Sequence, residues 1–369
     1  MSEGPRDVDV LQVTRPGAVE WVSVPVGALA DGCLRLDTVV SGVSAGTELT
    51  YLKDSNPVLS QRWHAELGLF EPGLEASPYP VTKLGYMQVG RVVATRTPHV
   101  AVGDLVAATY GHASGHDLDP LTERYVVLPP ALDPLLGIYV AHMGPICANG
   151  LLHAATDLFG PTVSDLAAGV RGRRVLVTGA GVVGLLTALF AMHGGAAEVV
   201  VADPTPERLA VAEQMGLGVM DSSAGDIGSW AKRRWRHAAG DRGADIVFQC
   251  RGQTASLHAA LRALRPQGTV IDLAFYPGGA GDLRLGAEFH HNGLRIVCAQ
   301  IGRVPRGSAY LWDRERLSAE TLDLLDAVGD RVLAAVISDQ VPAREAPVLY
   351  ADLAARRRSV LQAVLVDFG

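Results

Sequence analysis

This sequence predicts an α/β protein in two parts: a β-rich domain first, then a doubly wound parallel sheet. Three observations carry that prediction. Residues 1–140 hold short β-branched runs broken by Gly, Pro and Asp, with no sustained helical period. From Arg173 to about Ala299 the pattern changes to strand alternating with helix, which within one sheet requires parallel strands and right-handed crossovers. The 369 residues, 48% hydrophobic and 19% charged, are enough for two cores and exclude global disorder.

The elements follow in order. Strands are expected at Leu34–Val40, Gly90–Ala94, Leu105–Ala108 and Arg124–Leu128. Helical character begins near Pro145 and runs through Leu151 to Ala155. The later strands are expected at Val175–Thr178, Val199–Ala202, Ile246–Cys250, Thr269–Leu273 and Leu294–Cys298. Helices at Val183–Met192, Pro206–Met215 and Ser256–Leu264 lie between them. A helix over Ser318–Val328 and an apolar strand over Ser359–Val366 close the chain. The expected domains are 1–145, 146–300, and a segment 301–369 that returns to the first.

Composition narrows the function. The net charge of -7 and the lack of a basic tail argue against nucleic acid as a partner. The basic cluster Lys232 to Arg236 reads as the solvated face of a helix. The N-terminus shows no signal-peptide pattern. The apolar run around Val182 to Met192 is too short to span a bilayer. A cytoplasmic protein without a membrane partner is expected. Cys33, Cys147, Cys250 and Cys298 are scattered, which supports neither a zinc ribbon nor a disulfide scaffold.

The chemistry begins at Gly179-Ala-Gly181-Val182-Val183-Gly184, a Gly-x-Gly-x-x-Gly turn between a strand and a helix. Gly179 allows the tight turn, Gly181 leaves room for a pyrophosphate, and Gly184 lets the helix pack on the strand. The helix start at Val182 and Val183 offers free N–H groups and partial positive charge. Asp203 follows the next strand, about 20 residues on, where a carboxylate can accept from ribose hydroxyls and repel a 2′-phosphate. A dinucleotide of the Rossmann type is implied, NAD rather than NADP. Arg208 could bind a phosphate, stack on adenine or meet solvent. Arg251 could approach the nicotinamide ribose or phosphates, or form an ion pair elsewhere. Phe275 and Tyr276 follow a late strand and could border the nicotinamide or close the sheet end.

Taken together, the chain resembles the medium-chain dehydrogenase/reductase superfamily over nearly its whole length. Val102-Gly-Asp104-Leu-Val-Ala is similar to a turn of that superfamily's GroES-like domain. Gly243-Ala-Asp-Ile-Val-Phe and Leu264-Arg-Pro-Gln-Gly268 are similar to its late Rossmann segments. The resemblance implies a GroES-like catalytic domain and a cleft with the nicotinamide at its base. It also implies a homodimer or homotetramer. Relatives with catalytic zinc carry a ligand Cys where Ser44 stands, in Ser41-Gly-Val-Ser44-Ala-Gly-Thr47-Glu48. They carry a ligand His where Tyr86 stands, in Gly85-Tyr86-Met87. At the third ligand the likely match is Gly144, near His142 and Cys147. The structural zinc lobe with its four Cys is absent. Hydroxyls are poor replacements for thiolate and imidazole around zinc, so no metal is expected. These segments look most like a zinc-lacking branch near the sorbitol and threonine dehydrogenases and bacteriochlorophyllide dehydrogenase.

Without a metal, another group must exchange a proton with the substrate oxygen. Tyr86 is the first candidate, or it merely fills the vacated pocket. Ser44 and Thr47 could relay a proton or serve the turn. Glu48 could orient its neighbours or pair with Arg91. Among the histidines, His112 or His116 could lie near the substrate, though their spacing suits no metal pair. His64 could lie in a lid or on a surface helix. His142 and Cys147, with Asn149 nearby, could contact cofactor or substrate, or pack at the domain junction. The expected activity is zinc-independent hydride transfer between NAD and a secondary alcohol or ketone, a small-molecule substrate. The alternatives are an ene- or quinone reductase and a non-catalytic nucleotide-sensing protein.

Overall fold

A computed structural model describes residues 3–72 and 78–369. The chain divides into two units, Met1–His142 with Ile337–Gly369, and Met143–Val336.

The first unit is β-rich. A hairpin of β1 (Arg6–Arg15) and β2 (Ala18–Val26) turns at Gly17. After it come β3 (Leu34–Gly42), α1 (Ala45–Leu52) and a small hairpin of β4 (Gln61–His64) and β5 (Leu69–Pro72). Then follow β6 (Gln88–Thr95), β7 (Leu105–Ala108), β8 (Gly115–Leu118), β9 (Tyr125–Val127) and α2 (Pro134–Gly137).

The second unit carries α3 (Gly144–Phe159), β10 (Arg174–Thr178), α4 (Val182–His193), β11 (Glu198–Asp203) and α5 (Pro206–Gln214). It continues with β12 (Gly218–Asp221), α6 (Ile227–Arg234), β13 (Arg236–Ala238), β14 (Asp241–Arg242) and β15 (Ala244–Gln249). It closes with α7 (Thr254–Ala263), β16 (Leu264–Asp272), β17 (Arg295–Cys298) and α8 (Arg314–Ala335). Its six parallel strands lie in the order β12-β11-β10-β15-β16-β17, the 3-2-1-4-5-6 order of a doubly wound Rossmann sheet. Leu176, Val200, Val247 and Val270 are buried from neighbouring strands. A sheet covered on both faces needs such continuous β-branched runs.

The tail adds β18 (Ile337–Pro342), α9 (Ala346–Ala354) and β19 (Gln362–Val366). Strand β19 pairs with β3, which completes the sheet β18-β19-β3-β6-β7-β9 with β8 also on β3. Leu349, Tyr350 and Leu365 of this tail share one core with Leu11, Val13, Leu52 and Leu84. Burying each such Leu contributes about 1.5–3 kcal/mol, so the tail is an integral part of the unit.

Several expectations are corrected here. The β-rich region contains a true helix, α1, whose Leu49 and Leu52 pack into the core that holds Leu349 and Tyr350. Strand β12 lies in a stretch that sequence periodicity left blank, because four residues show too little alternation. Helix α8 belongs to the parallel-sheet unit, so the return begins at Ile337 rather than near 301. A Cβ at Gly144 of α3 would stand 2.1 Å from Thr321 of α8, so α8 lies hard against α3 there. The longest apolar helical stretch is 134–159, not the run near 182–192, and 83% of its most apolar window is buried inside the protein. It is long and apolar enough to cross a membrane, but that burial fits a core helix.

Candidate active site

The glycine turn joins β10 to α4. Gly179 has φ +100°, a conformation that side-chain-bearing residues resist. Its N–H donates to the Ala202 carbonyl at 2.8 Å, which ties the turn to β11. A Cβ at Gly184 would stand 1.8 Å from the Gly179 carbonyl oxygen, so the helix approaches its own turn as only glycine permits. A Cβ at Gly181 would meet nothing within 4 Å. Open space therefore faces the first turn of a 12-residue helix. There Val182, Val183 and Gly184 present N–H groups with no partner inside the helix. This cradle fits a diphosphate.

Asp203 ends β11 and is 3% exposed. Its Oδ2 accepts from the Ala180 N–H and its Oδ1 from the Thr205 N–H, both at 2.9 Å. The carboxylate thus fixes the glycine turn to the start of α5, and each oxygen keeps a lone pair for a further donor. Asp221 stands in register beside Asp203 at the end of β12. The Ser223 hydroxyl and N–H hold its carboxyl below the usual range. Arg208 is half-buried in α5 and has no ionic partner among the described residues. The same holds for Arg251, whose Cβ lies 3.2 Å from where a Cβ on Gly179 would be.

The β-rich unit gathers a different set of side chains. Ser44 caps α1 and is 8% exposed. Its hydroxyl is hydrogen-bonded to the Tyr86 phenol. The Tyr86 ring lies edge-on to His142, with centroids 4.7 Å apart. Behind Ser44 lies Glu48, 1% exposed. Its Oε1 accepts from the Ser44 N–H at 2.8 Å. Its Oε2 accepts from the Tyr350 phenol and lies 3.1 Å from His112 Nε2. His112 Nδ1 meets the Ser41 hydroxyl at 2.7 Å. A buried carboxylate is costly without donors, and three residues far apart in sequence, Ser44, His112 and Tyr350, surround it here. Burial, reinforced by the Glu48 charge, pushes the Tyr350 phenol far up, so it stays protonated and donates.

Sequence reasoning named Ser44, Tyr86, Glu48 and His142, and the fold brings these four together. Thr47 lies half-buried one turn on, its N–H bonded to the Ser44 carbonyl and its hydroxyl without a partner among the described residues. Tyr350 escaped the sequence reading entirely. It lies 302 residues from Glu48, and a lone Tyr in an apolar helix carries no local signal.

The other candidates have the following surroundings. His112 is fully buried, and both its ring nitrogens are engaged by side chains of the protein, Ser41 and Glu48. His116 bonds Glu123 at 2.8 Å and stacks on Tyr110. Glu48 does not pair with Arg91, whose guanidinium donates to the Gly103 carbonyl at the surface. Cys147 is buried in α3 against the Val183 carbonyl, and burial pushes its thiol up to about 12, which leaves it inert. Asn149 donates to the carbonyls of Gln300 and Arg303. His64 lies in the β4–β5 hairpin rather than a helix, its Nδ1 accepting from the Leu67 N–H. Part of the segment expected as a lid, residues 73–77, falls outside the described residues. The Tyr276 phenol donates to Asp272 at 3.0 Å and accepts from Gln249 at 3.1 Å, which closes the sheet end. Phe275 beside it is 48% exposed. Among the described residues no group of three His, Cys, Asp or Glu side chains could hold a metal.

Comparison with known proteins bears on this arrangement. A family profile described as zinc-binding dehydrogenase matches residues 182–310. The D-guloside 3-dehydrogenase of Escherichia coli (strain K12) is 27% identical over 324 residues, covering 85% of this chain and 87% of that protein. Human sorbitol dehydrogenase is 28% identical over 206 residues, 51% of this chain and 57% of its own length. Among solved structures, an alcohol dehydrogenase from Thermotoga maritima superposes with a TM-score of 0.74 at 16% identity, covering 98% of this chain and 99% of its own. That likeness is one of fold. The chain is an NAD(P)-dependent oxidoreductase similar to medium-chain dehydrogenases/reductases of the zinc-type alcohol dehydrogenase-like kind.

Proposed function

We propose that this protein is a medium-chain dehydrogenase/reductase that transfers hydride between NAD and a secondary alcohol or its ketone, on a polyhydroxylated substrate and without zinc. The observation that carries this reading is the Ser44–Tyr86–His142 cluster. Two hydroxyls stand where zinc-dependent relatives of this superfamily place a thiolate and an imidazole. That donor set does not fit zinc, which binds Cys sulfur, His nitrogen and carboxylate oxygen. The relatives named for guloside and sorbitol support a polyol or sugar substrate.

When bound, NAD supplies the hydride acceptor. The chain's own residues do the rest. The N–H groups of Val182 and Val183 hold the diphosphate, with Arg251 as an added cation beside the turn. Asp203 accepts from the ribose hydroxyls, and with Asp221 it disfavours a 2′-phosphate. In oxidation the substrate hydroxyl gives its proton to the Tyr86 oxygen as Tyr86 gives its own to Ser44 and Ser44 its own to solvent water, and ketone reduction runs the same transfers in reverse. Glu48, braced by His112 and Tyr350, keeps the Ser44 backbone in place. The reading also expects a homodimer or homotetramer, which light scattering on the eluted protein measures.

The test is a panel of polyols and ketoses assayed with NADH and NADPH. Turnover of a secondary alcohol or ketone with NADH, lost in Tyr86→Phe, supports the proposal. Turnover confined to enones or quinones, or undiminished in Tyr86→Phe, overturns it.

A further inference from the structure

A cavity of about 290 Å³ opens in the parallel-sheet unit between α6, β14 and α7. Arg242 and Arg262, just before β15 and β16, help line it. This is toward the N-terminal ends of the strands, whereas the glycine turn follows the C-terminal end of β10. Lys232, Arg233, Arg242 and Arg262 face it, with Glu288 the one carboxylate among its lining residues. Arg262 is neutralised by Asp226 and Glu288. The Lys232 ammonium is held by the carbonyls of Arg242 and Leu264. Arg233 and Arg242 have no carboxylate partner among the described residues. In a chain of net charge -7, this is a concentration of unneutralised cations around one hollow.

We propose that this cavity binds a small phosphate ester, with Arg233 and Arg242 as its anion clamp. A phosphate dianion takes forked hydrogen bonds from two guanidinium groups and removes their mutual repulsion. The volume, about ten water volumes, exceeds what a bare phosphate needs and leaves space for a few-carbon body. It stands at the lower limit, about 300 Å³, of small-molecule pockets. Lys232, already fixed by two carbonyls, supplies a stationary charge beside the clamp. The basic run from Lys232 to Arg236 thereby gains a role other than solvation.

The experiment is isothermal titration with glucose 6-phosphate as probe, on the full chain saturated with NADH so that the glycine cradle is filled. Saturable binding with a Kd below about 1 mM is expected. The double variant Arg233→Ala, Arg242→Ala should weaken it by about tenfold or more. Arg344→Ala, an exposed arginine of the other unit, should leave it unchanged, and circular dichroism should show each variant folded. Absence of saturable heat overturns the proposal. So does equal binding by glucose, by inorganic phosphate alone, or by the double variant.

Discussion

The two units build their sites from different materials. In the parallel-sheet unit the cradle is backbone: glycines, the N–H groups of one helix start, and an aspartate that pins the turn. In the β-rich unit the cluster is side chain: Ser44, Tyr86 and His142 in front, Glu48, His112 and Tyr350 behind. A backbone site is contiguous, and its geometry survives only with fixed residue types. A side-chain site can keep its scaffold while its chemistry is replaced. The comparison teaches that a backbone cradle and a side-chain cluster can diverge separately within one chain.

Substitutions can break or sharpen that contrast. The largest effect should come from Tyr86→Phe, which lowers turnover by about 10²–10⁴-fold while NADH affinity holds. Loss of NADH binding in that variant would mean the two sites are not separable. Next is Gly184→Val. Its Cβ must displace the Gly179 carbonyl, so stability falls by about 3 kcal/mol, read by denaturant titration. Tyr350→Phe comes third. It removes one donor from the buried Glu48, costs about 1–3 kcal/mol of stability, and leaves NADH affinity intact. The smallest effect belongs to Asp203→Ser. NADH affinity should fall and NADPH affinity rise relative to it by about tenfold, measured by fluorescence titration. An unchanged preference would leave Asp203 as a turn pin alone.

The same contrast explains what the sequence disclosed. The cradle was legible because Gly179 through Asp203 form one βαβ unit whose spacing is local. Asp221 was not, since four-residue β12 shows no usable period. Ser44 and Tyr86 were legible as departures from a family pattern. Their support was not: Glu48 meets His112 and Tyr350 only after β3, β6 and the returning tail assemble. His112 looked like a loop histidine open to substrate. A Cβ at Gly85 would stand 2.7 Å from its ring, which shows how closely the chain wraps it. Burial of that kind is set by tertiary contacts and leaves no mark in local composition.

The central claim is that hydroxyl groups replace a metal in this dehydrogenase. Elemental analysis of the purified protein, paired with turnover before and after exhaustive chelation, tests it most directly. The account predicts zinc well below one per chain and the same rate after chelation. One zinc per chain, with turnover lost on its removal and restored on its return, would contradict it.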